Sequence, residues 1–91
     1  MANNLFVSYD LMSPGQNYAR ITAAIEAIGG YIKVHYSLYY LHTNYTAEQV
    51  RNHIAQSMDS NDKLVVIDAA GAIGHNMPPS VWDVLANNWN R

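Results

Sequence analysis

The chain contains no cysteine, which excludes disulfides and thiolate metal sites and leaves the redox compartment open. Charge is also scarce: 13% of the 91 residues are charged, against 49% hydrophobic. The five basic residues, Arg20, Lys33, Arg51, Lys63 and Arg91, are scattered, and the net charge is -2. Non-specific binding to DNA or RNA rests on clustered Lys and Arg that displace phosphate counterions. Nucleic-acid binding is therefore expected to be weak or absent. Seven Tyr and two Trp could stack on bases, but such platforms normally lie beside a basic groove. No apolar run approaches a membrane span, and Met1-Ala2-Asn3-Asn4 has no basic leader character. The expectation is a cytoplasmic protein without membrane attachment.

No repeat, linker or low-complexity tract interrupts the chain, so a single domain over residues 1–91 is expected. Residues 4–10 alternate as a strand, with Leu5, Val7 and Tyr9 on one face and Phe6, Ser8 and Asp10 on the other. Pro14-Gly15 breaks it, and a helix over about 16–28 should stop at Gly29-Gly30. Residues 31–43 read as extended, as one long strand or, since thirteen residues is long for one, as two short strands divided by a bend near Ser37. Thr46-Ala47-Glu48-Gln49 carries a capping box, which opens a second helix with Ala47, Val50, Ile54 and Met58 on one stripe. Asp59-Ser60-Asn61-Asp62 is a turn, and Lys63 to Ala69 a short buried strand. A Gly-containing loop leads to a third helix from Pro79 or Ser80 to about Asn88. The order is that of a ferredoxin-like β-α-β-β-α-β fold, in the α+β class, with an extra C-terminal helix.

In that fold the two main helices cover one sheet face. Here both faces are apolar: Ile32, Val34, Tyr36, Leu38 and Tyr40 share one side of the 31–43 segment, and Tyr31, Tyr39 and Leu41 the other. An open apolar face costs about 25 cal/mol per Å² left in water. Either a second subunit or the C-terminal helix would relieve it. The expectation is a homodimer with Tyr31, Tyr39, Leu41 or first-strand residues at the interface.

Val7-Ser8-Tyr9-Asp10-Leu11 with Pro14-Gly15-Gln16 and Tyr18, and Val34-His35-Tyr36-Ser37-Leu38-Tyr39-Tyr40 running into Thr46-Ala47-Glu48-Gln49-Val50, resemble the SinR-like branch of a CRISPR-associated superfamily. Its best-known members are small dimeric partners of the CRISPR integrase. The resemblance spans roughly residues 4–69 and implies a ferredoxin-like homodimer. In some members the acid matching Asp10 binds a divalent metal at the dimer cleft and supports phosphodiester hydrolysis; in the adaptation complex the dimer is an adaptor. This chain departs from the pattern in having only Arg20 as a basic residue within ten positions after the acid. Its tail also reads as a helix rather than as the strand that often swaps between subunits.

Asp10 is accordingly the candidate catalytic and metal-binding residue. A dimer would bring two copies of it to a shared cleft, with Ser8 on the same face, and Mg²⁺ or Mn²⁺ would generate hydroxide or neutralise a phosphate there. The competing reading has Asp10 close the strand and accept backbone N–H groups from the turn at 13–15. Asp68 ends the last strand at the opposite rim and cannot share a site with Asp10. His35, His42, His53 and His75 show no metal-ligand spacing and read as surface or interface residues. The segments 12–16 and 71–76 lack phosphate-loop spacing, and Trp82 and Trp89 read as the buried side of the last helix. The function expected is a non-catalytic homodimeric binding or assembly module acting on a protein partner, without a cofactor. The alternatives are a Mg- or Mn-dependent nuclease using Asp10 from both subunits, and a mobile-element regulator or inhibitor of host defence that binds a protein or small ligand.

Overall fold

A computed structural model describes residues 2–12, 18–35 and 37–89. Its elements run β1 (Asn3–Asp10), α1 (Tyr18–Glu26), β2 (Gly30–His35), β3 (Leu38–Thr43), α2 (Ala47–Ala55), β4 (Lys63–Asp68) and α3 (Pro79–Asn88). The sheet order is β2-β3-β1-β4, with every neighbouring pair antiparallel. This is the ferredoxin-like topology with an added C-terminal helix, as the residue pattern predicts.

Local chemistry sets the boundaries. Thr46 Oγ1 accepts the Gln49 N–H at 3.2 Å while Gln49 Oε1 accepts the Thr46 N–H at 2.9 Å, which satisfies two of the unpaired donors at the start of α2. The bend expected near Ser37 is a tight reversal: His35 pairs with Leu38, and Ser37 takes φ 57°, the left-handed conformation that short hairpin loops require. Gly29 has to be glycine, because a Cβ there would collide with the carbonyl oxygen of His42. The turn at 13–15 and most of the 12–16 segment lie outside the described residues.

Alternation along each strand sends side chains into two separate cores. On one face Leu5, Val7 and Tyr9 of β1 and Tyr39 and Leu41 of β3 pack with Ile21, Ala24 and Ile25 of α1 and Val50 and Ile54 of α2. On the other, Tyr40 packs with Val81 and Leu85 of α3, flanked by Phe6, Ile32, Val34, Met77 and Trp89. Trp89 stacks on Tyr40 with ring centroids 5.8 Å apart and planes 17° from parallel.

The two faces of the 31–43 segment divide as the alternation predicts, but their roles are exchanged. Leu41 and Tyr39, expected at an open interface, are 0% and 6% exposed beneath α1 and α2. Tyr31, on the same side at the β2 edge, remains exposed and donates to Glu26 Oε1 at 2.7 Å. The second face is covered in part by α3, whose apolar residues meet β1, β2 and β3. What stays uncovered is β4, where Val65 and Ile67 are 56% and 48% exposed. No described helix is long and apolar enough to cross a membrane.

Candidate functional site

Asp10 occupies the C-terminal end of β1, exposed, on the α3 side of the sheet and directly opposite Lys63 of β4. Ser8 lies on the same face, also exposed. The register puts Asp68 opposite Leu5, five residues along the sheet from the Asp10–Lys63 pair, or about 17 Å at the usual rise per residue. The two strand-end acids are thus at opposite rims, as the topology predicts. Among the described residues no group of three or more His, Asp or Glu side chains could hold a metal ion.

The histidines do not converge. His35 and His75 are exposed. His53 Nε2 lies 3.1 Å from the Ala24 carbonyl oxygen and links α2 to α1. His42 is half-buried, and its Nε2 has no hydrogen-bond partner among the described residues. The 71–76 segment is exposed, and Gly74 lets it pack against α3: a Cβ there would stand 3.0 Å from the Trp82 ring and 2.9 Å from Met77 Cγ. Trp89 buries the helix as expected, whereas Trp82 remains 36% exposed.

Two features escape a reading of the sequence. Asp62 anchors the end of β1 to the α2–β4 turn: its Oδ1 accepts the Met12 N–H and its Oδ2 the Asp59 N–H, both at 2.8 Å. The Asp-Ser-Asn-Asp composition signals the turn but not the partner fifty positions away. The second feature is a tyrosine cluster. Tyr9 and Tyr39 stack with centroids 6.1 Å apart, Tyr18 tilts against Tyr9 at 6.1 Å, and Tyr31 against Tyr39 at 6.3 Å. Thr22 Oγ1 and Tyr39 Oη are 3.3 Å apart. Burial, then the neighbouring Tyr39, pushes the Tyr9 phenol well above its ordinary range. Burial also raises Tyr40, whose hydroxyl donates to Asn4 Oδ1 at 2.5 Å.

Two surfaces therefore combine exposure with chemistry. The first is the rim formed by β4 and α3. Val65, Ile67 and Trp82 are exposed there, and a cavity of about 230 Å³ opens between α3 and the chain leaving β4, lined by Gly71, Ala72, Trp82, Leu85, Ala86 and Trp89. The second is the mouth of the tyrosine cluster beside α1.

No family model matches the sequence, and no curated protein matches it. Among solved structures the fold is similar to that of a hypothetical protein, TT1823, from Thermus thermophilus. The TM-score is 0.66 at 17% identity, over 86% of this chain and 96% of that one. At that identity the likeness is one of fold.

Proposed function

We propose that the chain is a non-catalytic, homodimeric binding and assembly module whose further partner is a protein. The observation that carries the reading is the pair Val65 and Ile67, exposed on an edge strand. Edge strands offer unpaired backbone groups to another chain, and β4 carries its two exposed apolar side chains on one face. The Ala69 N–H donates to the Asn4 carbonyl, so by alternation the N–H groups of Lys63, Val65 and Ile67 also point toward β1. Those of Leu64, Val66 and Asp68 then point outward.

A two-fold axis perpendicular to the sheet, midway between Val66 and its copy, pairs two β4 strands antiparallel and joins the sheets. Val65 of each copy falls opposite Ile67 of the other on the same face, which covers all four side chains. The outward N–H groups then find carbonyl partners. The apolar α3 cavity remains beside this seam and is the surface offered to the protein partner.

The same geometry bears on the hydrolytic alternative. Two Asp10 residues in this dimer lie about 20 Å apart along the strands and about 14 Å apart across them at ordinary strand spacings, so they do not form one metal site. A dimer also carries a charge of twice -2, which repels phosphate. The test is sedimentation equilibrium of the wild type and of Ile67→Lys, alongside incubation with labelled RNA and DNA in Mg²⁺ or Mn²⁺. A wild-type dimer, a monomeric variant and intact nucleic acid are expected. A wild-type monomer, or metal-dependent cleavage abolished by Asp10→Ala, would overturn the reading.

A further inference from the structure

Tyr18, Thr22 and Glu26 lie on one stripe of α1, each a turn beyond the last, and each meets a tyrosine of the sheet beneath. Tyr18 tilts against Tyr9 of β1 with ring centroids 6.1 Å apart. Thr22 Oγ1 lies 3.3 Å from the hydroxyl of Tyr39 of β3, and Tyr31 of β2 donates its hydroxyl to Glu26 Oε1 at 2.7 Å. Because β1, β3 and β2 are consecutive in the sheet, the rings also touch in series. Tyr9 and Tyr39 stack at 6.1 Å with planes 19° apart, and Tyr39 meets Tyr31 at 6.3 Å. The result is a continuous file of four rings. Its ends, Tyr18 and Tyr31, are 39% and 41% exposed, and its middle, Tyr9 and Tyr39, is 7% and 6% exposed.

Packing accounts for the buried pair; the chemistry of the file differs along its length. A phenol that loses one electron becomes a strong acid, so the electron leaves readily only where a base takes the proton. Glu26 is that base at the Tyr31 end, already holding the phenolic proton in a hydrogen bond. The same bond, above all, raises the Tyr31 pKa, so the proton stays in place until the electron goes. In the middle of the file burial disfavours charge. It pushes the Tyr9 phenol up and makes an oxidised ring there a costly resting place. Thr22, beside the Tyr39 hydroxyl, is a far weaker base than a carboxylate. An electron vacancy moves between rings in contact because their π orbitals overlap. One that enters at Tyr18 therefore passes through the buried pair and comes to rest at Tyr31.

We propose that these four tyrosines relay single-electron oxidation across the sheet, with Tyr31 as the site of the lasting radical and Glu26 as the acceptor of its proton. The co-reactant is an external one-electron oxidant at the Tyr18 end. It gains one electron, Tyr31 becomes a neutral phenoxyl radical, and the O–H proton moves to the Glu26 carboxylate. β2 is the sheet edge opposite β4, so the relay does not depend on the dimer seam. The chain has no cysteine, so Ala19→Cys, at an exposed position beside Tyr18, can carry a single tethered ruthenium tris-bipyridine. Light and persulfate convert that label to its one-electron oxidant, and radicals are caught with a nitroso spin trap and located by peptide mass spectrometry. Adducts are expected mainly at Tyr31. Tyr39→Phe keeps a ring in the file but one that is harder to oxidise, and should shift the adducts to Tyr18 and Tyr9. Glu26→Gln, at an exposed position, keeps a hydrogen-bond acceptor that is no base, and should lose most of the Tyr31 adduct. Absence of adducts from Tyr31 in the labelled chain would overturn the proposal. So would a Tyr31 adduct unchanged in Tyr39→Phe or in Glu26→Gln.

Discussion

At the scale of single residues, Asp62 shows how a half-buried side chain can hold distant segments together. Its two oxygens each accept a backbone N–H, one from Met12 and one from Asp59, and bonds from a charged acceptor are stronger than neutral ones. Asp62→Ala should cost about 1 to 2 kcal/mol in denaturant unfolding, and Asp62→Asn less, because the amide oxygen retains one acceptor. The tyrosines give a pH dependence. In the folded chain Tyr9 and Tyr40 ionise above the ordinary value of 10.0, both through burial first. The folded state therefore holds protons that the unfolded state has released, so this stabilisation is complete below about pH 10 and is lost as pH rises beyond it. A melting-temperature series should stay flat in this respect up to that pH and then fall. Tyr9→Phe should shallow the alkaline fall, and an unchanged slope would contradict the assignment.

At the scale of elements, much of the architecture is legible in the sequence because it is written in short-range chemistry. The Thr46–Gln49 box sets the start of α2, Pro79 fits the first turn of α3, and the length of the 31–43 run predicts the reversal at Ser37. The division of that run into Ile32, Val34 and Tyr40 against Tyr39 and Leu41 is legible too, since strand alternation fixes it. Which face receives which helix is not. Both faces are equally apolar, and the choice depends on the crossover paths of α1 and α2 rather than on any local signal. Asp10 is legible as a strand-end acid, and its separation from Asp68 follows from topology. Asp62's partners and the convergence of Tyr9, Tyr39 and Thr22 depend on long-range register, which composition does not encode. Two predictions belong here. Thr46→Ala removes a cap and should destabilise by about 0.5 to 2 kcal/mol. Leu85→Ala opens a hole in the smaller core and should cost about 2 to 4 kcal/mol, with Trp89 fluorescence shifting to longer wavelength as its stacking on Tyr40 loosens.

At the scale of the whole molecule, a four-stranded sheet has more apolar face than two helices cover, and α3 answers only part of the need. It spans β1, β2 and β3 and leaves β4 as a bare edge with Val65 and Ile67 in water. The proposed extension of the sheet through that edge would join two copies without disturbing either core. Amide hydrogen exchange along β4, measured as a function of protein concentration, tests this most directly. The account predicts that the N–H groups of Leu64, Val66 and Asp68 exchange slowly in concentrated protein and quickly on dilution, while those of Val65 and Ile67 stay protected throughout by β1. Fast exchange of Leu64, Val66 and Asp68 at every concentration would contradict it.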